Sequence, residues 1–281
     1  MAGLRLKAYA KLNLTLRVVG LEPTGYHRLC SLAVAVDWAD LLRLEPRSRG
    51  IAVRVVPDLG IPLEENLVLR AARLLEGRFP GVEITLYKSI PPGAGLGGGS
   101  SDAAATLVGL DRLFSLGLSQ GELAELARGL GADVPFFLGE SPAWMEGTGD
   151  LLRPAKVEVP EYFLVLVPPF PCSTAAVYRE FDKLGLPFSE PVHILDYRND
   201  LWDAACRVCP ELPRYRELLE GLGAEGVGMT GSGSALFAAF PGEGDATRAL
   251  REVRGRAASR GLECLLRLVR PRRWGYDISP G

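Results

Sequence analysis

Along the first fifty residues, apolar and polar positions alternate with a period of two. The run "LNLTLRV" sets Leu12, Leu14, Leu16 and Val18 on one side and Asn13, Thr15 and Arg17 on the other, the pattern of a strand. "LAVAV" is apolar throughout and "IAVRVV" is β-branched, so residues 4–56 read as strand-rich. At "EENLVLRAARLLEG" the spacing lengthens to that of a helix, which stops at Gly77. "VEITLY" is a further strand, and helices are expected at about 101–115 and 120–130. The proline-punctuated stretch "RPAKVEVPE" then opens on a new strand, "YFLVLVPPF". That break places a boundary near residue 155 and divides the chain into 1–155 and 156–281. Helical patterns follow at about 174–184 and 211–222, then a second glycine-rich loop, "GVGMTGSGSALFAAF", another helix and the strand "ECLLRLV". Strands gathered first and helices later predict an α+β fold rather than an alternating α/β sheet.

Composition narrows the function classes. With 281 residues and 47% hydrophobic content, the chain can bury one large core or two ordinary ones. A formal charge of −2 with no long basic or acidic run argues against a nucleic-acid surface or a polybasic membrane patch. Any anionic ligand is therefore held locally. The opening residues are interrupted by Arg5, Lys7 and Lys11, unlike a signal peptide or a membrane span, and predict a cytoplasmic protein. Five cysteines show no disulfide framework, and Cys206 and Cys209 in "CRVC" read as a pair of buried thiols on one helix face.

The densest chemical signal is "SIPPGAGLGGGSSDAAATL", residues 89–107. Gly93, Gly95 and Gly98 satisfy a bare G-x-G-x-x-G, but the Rossmann version requires a second strand ending in an acidic residue, and helical sequence occupies that place. A Walker A loop requires Lys-Ser/Thr after its last glycine, where this chain has Ser100-Ser101. No V-A-I-K, H-R-D or D-F-G follows, which excludes a protein kinase. What remains is the physics these loops share: backbone N–H groups free of side chains close on an anion, and the helix that follows adds unpaired donors and the positive end of its dipole. Ser100 and Ser101 offer hydroxyls to a phosphate or a hydrated Mg²⁺, or act as the helix N-cap. Asp102 suits the helix start as a structural acid.

Three further pieces accompany the loop. "YAKLNLTLRV" puts Lys11 and Asn13 on one side of a strand, "GADVPFFLG" places Asp133 just past a helix end, and "GMTGSGSALF" makes a second Gly/Ser turn. Together, and in this order, they resemble the GHMP kinase family, whose motifs are a lysine-bearing N-terminal strand, a central Pro-x-x-x-Gly-Leu-Gly-(Gly)-Ser-Ser loop and a C-terminal glycine-rich loop. The likeness spans about residues 7–240 and extends to "GYHRL" and "GADVPFFL".

The resemblance implies a two-domain fold, with an N-terminal domain like the second domain of ribosomal protein S5, a ferredoxin-like C-terminal domain and the active site between them. It implies transfer of the ATP γ-phosphoryl group, with Mg²⁺, to the 2-hydroxyl of an erythritol unit that carries a diphosphocytidyl group, in non-mevalonate isoprenoid synthesis. Asp133 is then the base, Lys11 orients it and offsets charge on the γ-phosphoryl group, and Asn13 binds near the acceptor hydroxyl. Pro91, Pro92, Gly93, Ala94, Gly95, Leu96, Gly97, Gly98, Gly99, Ser100 and Ser101 wrap the phosphates, while Asn66 and Lys88 resemble residues near the nucleotide base. Tyr26 stacks on cytosine, His27 reads its edge, and Tyr178 closes the opposite face where the family more often has Phe. Other readings are a dinucleotide-dependent oxidoreductase, a silent nucleotide sensor on this fold, or a kinase for another small alcohol such as homoserine or mevalonate. The last needs no cytosine clamp, so Tyr26 and His27 discriminate against it.

Overall fold

The alternating run at 12–18 folds as a strand covered on both faces. In the computed structural model, which describes residues 3–281, β1 (Leu4–Leu21) pairs antiparallel with β2 (His27–Pro46), and both are long enough to serve two cores. Register shifts at Tyr9/Ala10, Asn13/Thr15 and Val18/Gly20 bend the pair. β3 (Gly50–Val56) runs parallel to β4 (Gly81–Tyr87) through the crossover helix α1 (Leu67–Leu74), and β4 lies antiparallel to β2. The helix α2 (Gly98–Phe114) and the capping-box helix α3 (Gln120–Leu130) follow, then the hairpin of β5 (Ala143–Gly147) and β6 (Leu151–Pro154), which adds to β2.

The second half folds around its own sheet. Its elements are β7 (Tyr162–Val167), α4 (Thr174–Leu184), α5 (Trp202–Val208), α6 (Leu212–Arg216), β8 (Gly226–Met229), β9 (Leu236–Phe240), α7 (Glu243–Ser259) and β10 (Leu265–Val269). The strands order as β10-β7-β9-β8, all antiparallel. The chain then returns to the first sheet, where β11 (Pro271–Arg272) pairs with β2 and β12 (Tyr276–Pro280) with β1. A division at residue 155 assigns this last segment to the second sheet, whereas its strands lie in the first.

Packing explains why β1 and β2 read as they do. One face of the first sheet meets α1, α2 and α3 through Leu6, Leu42, Leu44, Ile84, Leu107 and Leu110. The other meets the second sheet, where Leu12, Leu14, Val34 and Trp38 pack with Phe163, Val165 and Phe237. Each such fully buried side chain contributes roughly 1.5–3 kcal/mol, so the two sheets are held by apolar area and not by a hinge. The far face of the second sheet carries a third cluster under α4 to α7 that takes in Leu16 and Val18 of β1. The fold is the α+β arrangement expected. Among the described residues, no helix is long and apolar enough to cross a membrane.

Candidate active site

The polar side of β1 does not face water. Lys11, Asn13, Thr15 and Arg17 are all buried, and each has a polar partner, though Arg17 Nε has none. Lys11, 3% exposed, donates through Nζ to Asn13 Oδ1 and stands 3.4 Å from Asp133 Oδ2, so a buried ammonium has both a dipole and a carboxylate against it. Asp133, just past α3, is 36% exposed at its side chain and lines the cavity that opens in front of Lys11. Asn13 is fixed from three sides: its amide nitrogen Nδ2 donates to Ser31 Oγ at 2.7 Å, its Oδ1 accepts from the backbone N–H of Gly231 at 3.0 Å, and its own N–H donates to Thr230 Oγ1 at 3.0 Å. Sequence reasoning singled out neither Ser31 nor Thr230. Thr230 belongs to the Gly/Ser turn "GMTGSGSALF", whereas nothing local marks Ser31 on the neighbouring strand.

The glycine run is braced by the same partners. The backbone N–H of Lys11 donates to Leu96 O at 2.9 Å, Thr230 Oγ1 donates to Gly95 O at 3.1 Å, and Ala235 N–H to Ala94 O at 3.1 Å. A Cβ on Gly95 would stand 2.2 Å from Thr230 O, so glycine is what lets the two loops touch. Gly97, at φ 70°, is the N-cap of α2, which therefore starts three residues earlier than expected, inside the run. Neither Ser100 nor Ser101 is the N-cap. Ser100 lines the cavity; Ser101 is fully buried with its Oγ 3.5 Å from Gly275 O, so its hydroxyl is not presented to a phosphate or to Mg²⁺.

Beneath the loop lies an ionic cluster invisible to motif reading. Lys88 Nζ donates to Asp40 Oδ2 and, at 2.8 Å, to Asp102 Oδ2. Asp40 Oδ1 accepts from the backbone N–H of Ser89 at 2.5 Å and of Ile90 at 2.8 Å, pinning the entry to the loop. Burial alone would lower the Lys88 ammonium, but Asp102 and Asp40 outweigh it and hold it above its ordinary value. Burial pushes the Asp102 carboxyl up to about 8, with Lys88 opposing the rise and Asp40 adding to it. Two carboxylates thus share one ammonium, and the cluster is neutral when Asp102 keeps its proton. Lys88, which resembles a residue near the nucleotide base, borders the cavity, and its charge is paired with these two carboxylates. Asn66 also lines the cavity; its Oδ1 caps α1 by accepting from Val68 N–H at 2.9 Å, leaving only its amide N–H₂ to face a ligand.

Tyr26, His27 and Tyr178 line one cavity together, though not in the expected arrangement. His27 stacks on Tyr178 with ring centroids 4.8 Å apart, and its Nε2 is 2.8 Å from Asp182 Oδ1. Tyr26 is 69% exposed at the rim. Burial, and then the charge of Asp133, push the Tyr178 hydroxyl well above its usual range. The "CRVC" expectation also changes: Cys206 and Cys209 are half-buried, and Cys209 Sγ lies 3.3 Å from Cys172 Sγ, a partner too distant in sequence to be foreseen.

One cavity of about 940 Å³ joins these parts: Asn66, the glycine run, Lys11, Asp133, Tyr26, His27 and Tyr178 all line it, and Lys11 packs against Gly97. That volume is at the top of the range for a single small-ligand pocket. Residues 66–140 match the family model "GHMP kinases N terminal domain" and residues 197–258 the model "GHMP kinases C terminal", so the class is that of the GHMP small-molecule kinases, with ATP as phosphoryl donor. The 4-diphosphocytidyl-2-C-methyl-D-erythritol kinase of Nitrosospira multiformis is 42% identical over 259 residues, covering 90% of this chain and 88% of the relative. That of Symbiobacterium thermophilum is 40% identical over 269 residues, covering 89% and 95%. A crystal structure of 4-(cytidine 5'-diphospho)-2C-methyl-D-erythritol kinase matches with a TM-score of 0.79 at 38% identity, over 95% of this chain and 99% of that one. The chain belongs to the 4-diphosphocytidyl-2-C-methyl-D-erythritol kinase family. A homoserine kinase from Cytophaga hutchinsonii, TM-score 0.75 but 17% identical, shares the fold alone.

Proposed function

We propose that this protein transfers the γ-phosphoryl group of ATP to the 2-hydroxyl of 4-diphosphocytidyl-2-C-methyl-D-erythritol, the step named by its relatives, with Lys11, Asn13 and Asp133 as the reacting centre. The observation that carries this reading is the Lys11–Asp133 pair, 3.4 Å apart, which lines one cavity with a side-chain-free helix N-terminus and a cluster of aromatic rings. The polyanionic phosphates lie against the backbone donors of Gly97, Gly98 and Gly99 and the positive end of α2. The diphosphocytidyl group lies at the aromatic residues, with its base against the His27–Tyr178 stack and Tyr26 at the rim. His27 Nε2 is held by Asp182, so the ring presents Nδ1 to the base.

In the transfer, Asn13, immobilised by Ser31 and Gly231, positions the acceptor hydroxyl. Asp133 takes the hydroxyl proton as the oxygen attacks the γ-phosphorus; the bond to the β-phosphate oxygen breaks and the electron pair leaves with ADP. Lys11 faces both the base and the migrating group, and its ammonium offsets charge there. Alignment contributes more than basicity, because phosphoryl transfer leaves the protein little covalent chemistry to perform.

Mg²⁺ accompanying ATP fits the residues present: Ser100 puts a hydroxyl on the cavity wall beside the loop, an oxygen donor suited to a hard cation that keeps most of its waters. When bound, it neutralises phosphate charge. Asp102 is committed to Lys88 and is not a ligand in this reading.

The test is Asp133→Asn. ATP binding and the fold stay as in the parent while phosphoryl transfer falls by roughly two to four orders of magnitude, the range for a positioned acid or base. Near-parental turnover removes Asp133 from the role of base.

A further inference from the structure

On the side of the first sheet that turns away from the cavity, three donor atoms from three separate segments converge. Cys30 on β2 stands directly opposite Glu146 on β5 in the strand register, and His193 reaches them from the segment between α4 and α5. The thiol sulfur, a carboxylate oxygen and an imidazole nitrogen lie within 4.8 Å of one another. None of the three residues lines the cavity, whereas their strand neighbours Ser31 and Met145 do, as the alternation of side chains requires.

The surroundings favour metal ligation over a plain ion pair. Glu146 divides its two oxygens: Oε2 accepts from Arg153 at 2.8 Å, and Oε1 is 2.6 Å from His193 Nε2. The Cys30 thiol is buried and has only a weak contact, 3.6 Å, with Val192 O. The edge-on packing of Trp144 and His193, with centroids 4.8 Å apart, fixes the imidazole plane. His193 is 46% exposed at its side chain, which leaves an entry path from solvent.

We propose that Cys30, Glu146 and His193 form a site for a thiophilic divalent cation of the Zn²⁺ class, which clasps the segment between α4 and α5 to the first sheet and leaves a fourth position for water. Bonds of about 2.0–2.3 Å in a tetrahedron set ligand atoms about 3.3–3.8 Å apart, so the sulfur moves in and the Glu146–His193 contact opens slightly. Mg²⁺ and Ca²⁺ prefer oxygen throughout; thiolate with imidazole selects Zn²⁺ and its spectroscopic substitute Co²⁺. One thiolate and one carboxylate neutralise the ion, so the buried strand carries no net charge. The clasped segment also supplies Ile194 O, which accepts from Thr15 Oγ1 at 3.1 Å, and Asp196, which pairs with Arg17, so it flanks the polar row of β1.

The test is titration with Co²⁺ in excess Mg²⁺, followed by absorption. One equivalent produces a thiolate-to-cobalt charge-transfer band with intense tetrahedral visible bands, and Zn²⁺ abolishes both. Cys30→Ala loses the charge-transfer band. His193→Gln, at a half-exposed position that leaves the fold intact by its melting curve, weakens Co²⁺ by about 100-fold or more, beyond the 10–100-fold typical of losing an outer-shell partner. The proposal is overturned if the parent shows no charge-transfer band, if Cys30→Ala keeps it and so assigns it to Cys172 or Cys209, or if His193→Gln binds as the parent does.

Discussion

Lys11 enters the cavity from a strand covered on both faces, and this decides which partners its ammonium can have. The sequence offered "KLNLTLRV" as an ordinary half-exposed strand, and the polar positions were legible as one side of it; that this side is buried was not, because its partners, Asp133, Thr230, Gly231, Ile194 and Asp196, lie far along the chain. The same blindness hid Asp40 and Lys88, which no motif joins. They yield a prediction at Asp102. Its carboxyl, pushed up to about 8 by burial, keeps its proton to higher pH in the folded protein than in the unfolded chain. That contribution to stability is therefore complete below the ordinary carboxylate range and is lost as pH rises through the folded value. Urea unfolding at about pH 5 and about pH 9 should show the parent losing more stability across this interval than Asp102→Asn, which has nothing to ionise there. Equal losses would mean that Asp102 is already ionised. In the same cavity, Tyr178→Ala should weaken the cytidine substrate by about 1–3 kcal/mol, the range for base–aromatic stacking, and Tyr178→Phe should change it little. Calorimetry with the substrate, and with ATP as the folding control, reads both; an unaffected alanine variant argues against a stacking role for this ring.

At the scale of elements, the phosphate loop and the turn around Thr230 behave as one unit. The glycine run was readable as an anion loop, yet its helix was expected only from residue 101, since glycines are poor helix formers and the serines look like caps. In the structure α2 begins at Gly98, so Gly99 has helical backbone with only Leu67 Cδ1, at 3.7 Å, near a new Cβ. Gly99→Ala should therefore keep or raise the melting temperature while weakening ATP by about tenfold or more, because the added Cβ holds a phosphate off the backbone N–H groups, at about the cost of one hydrogen bond to a charged group. Undiminished ATP affinity would place the phosphates elsewhere. Gly95→Ala should act differently. Its Cβ meets Thr230 O at 2.2 Å, so the two loops must part, and both ATP and acceptor binding should fall together with thermal stability. A variant that loses only ATP would separate the loops functionally.

At the scale of the whole molecule, two sheets pack face to face, and a cavity lined by both the phosphate loop and the aromatic residues lies beside them. The α+β class and the order of the motifs followed from the sequence, because each motif is local. The return of Pro271–Pro280 to the first sheet did not, since a short terminal strand carries no sign of which distant edge it will pair with. Nor did the stacking of His27 on Tyr178, which depends on where α4 docks. The central claim is that this cavity phosphorylates a diphosphocytidyl-linked alcohol. The most direct measurement is ³¹P NMR of the purified protein with ATP, Mg²⁺ and, in parallel, 4-diphosphocytidyl-2-C-methyl-D-erythritol, homoserine and mevalonate. The account predicts a new phosphomonoester on the 2-hydroxyl of the first and no product from the other two. Phosphorylation of homoserine or mevalonate in preference to the cytidine compound, or ATP consumed with none of them, would contradict it.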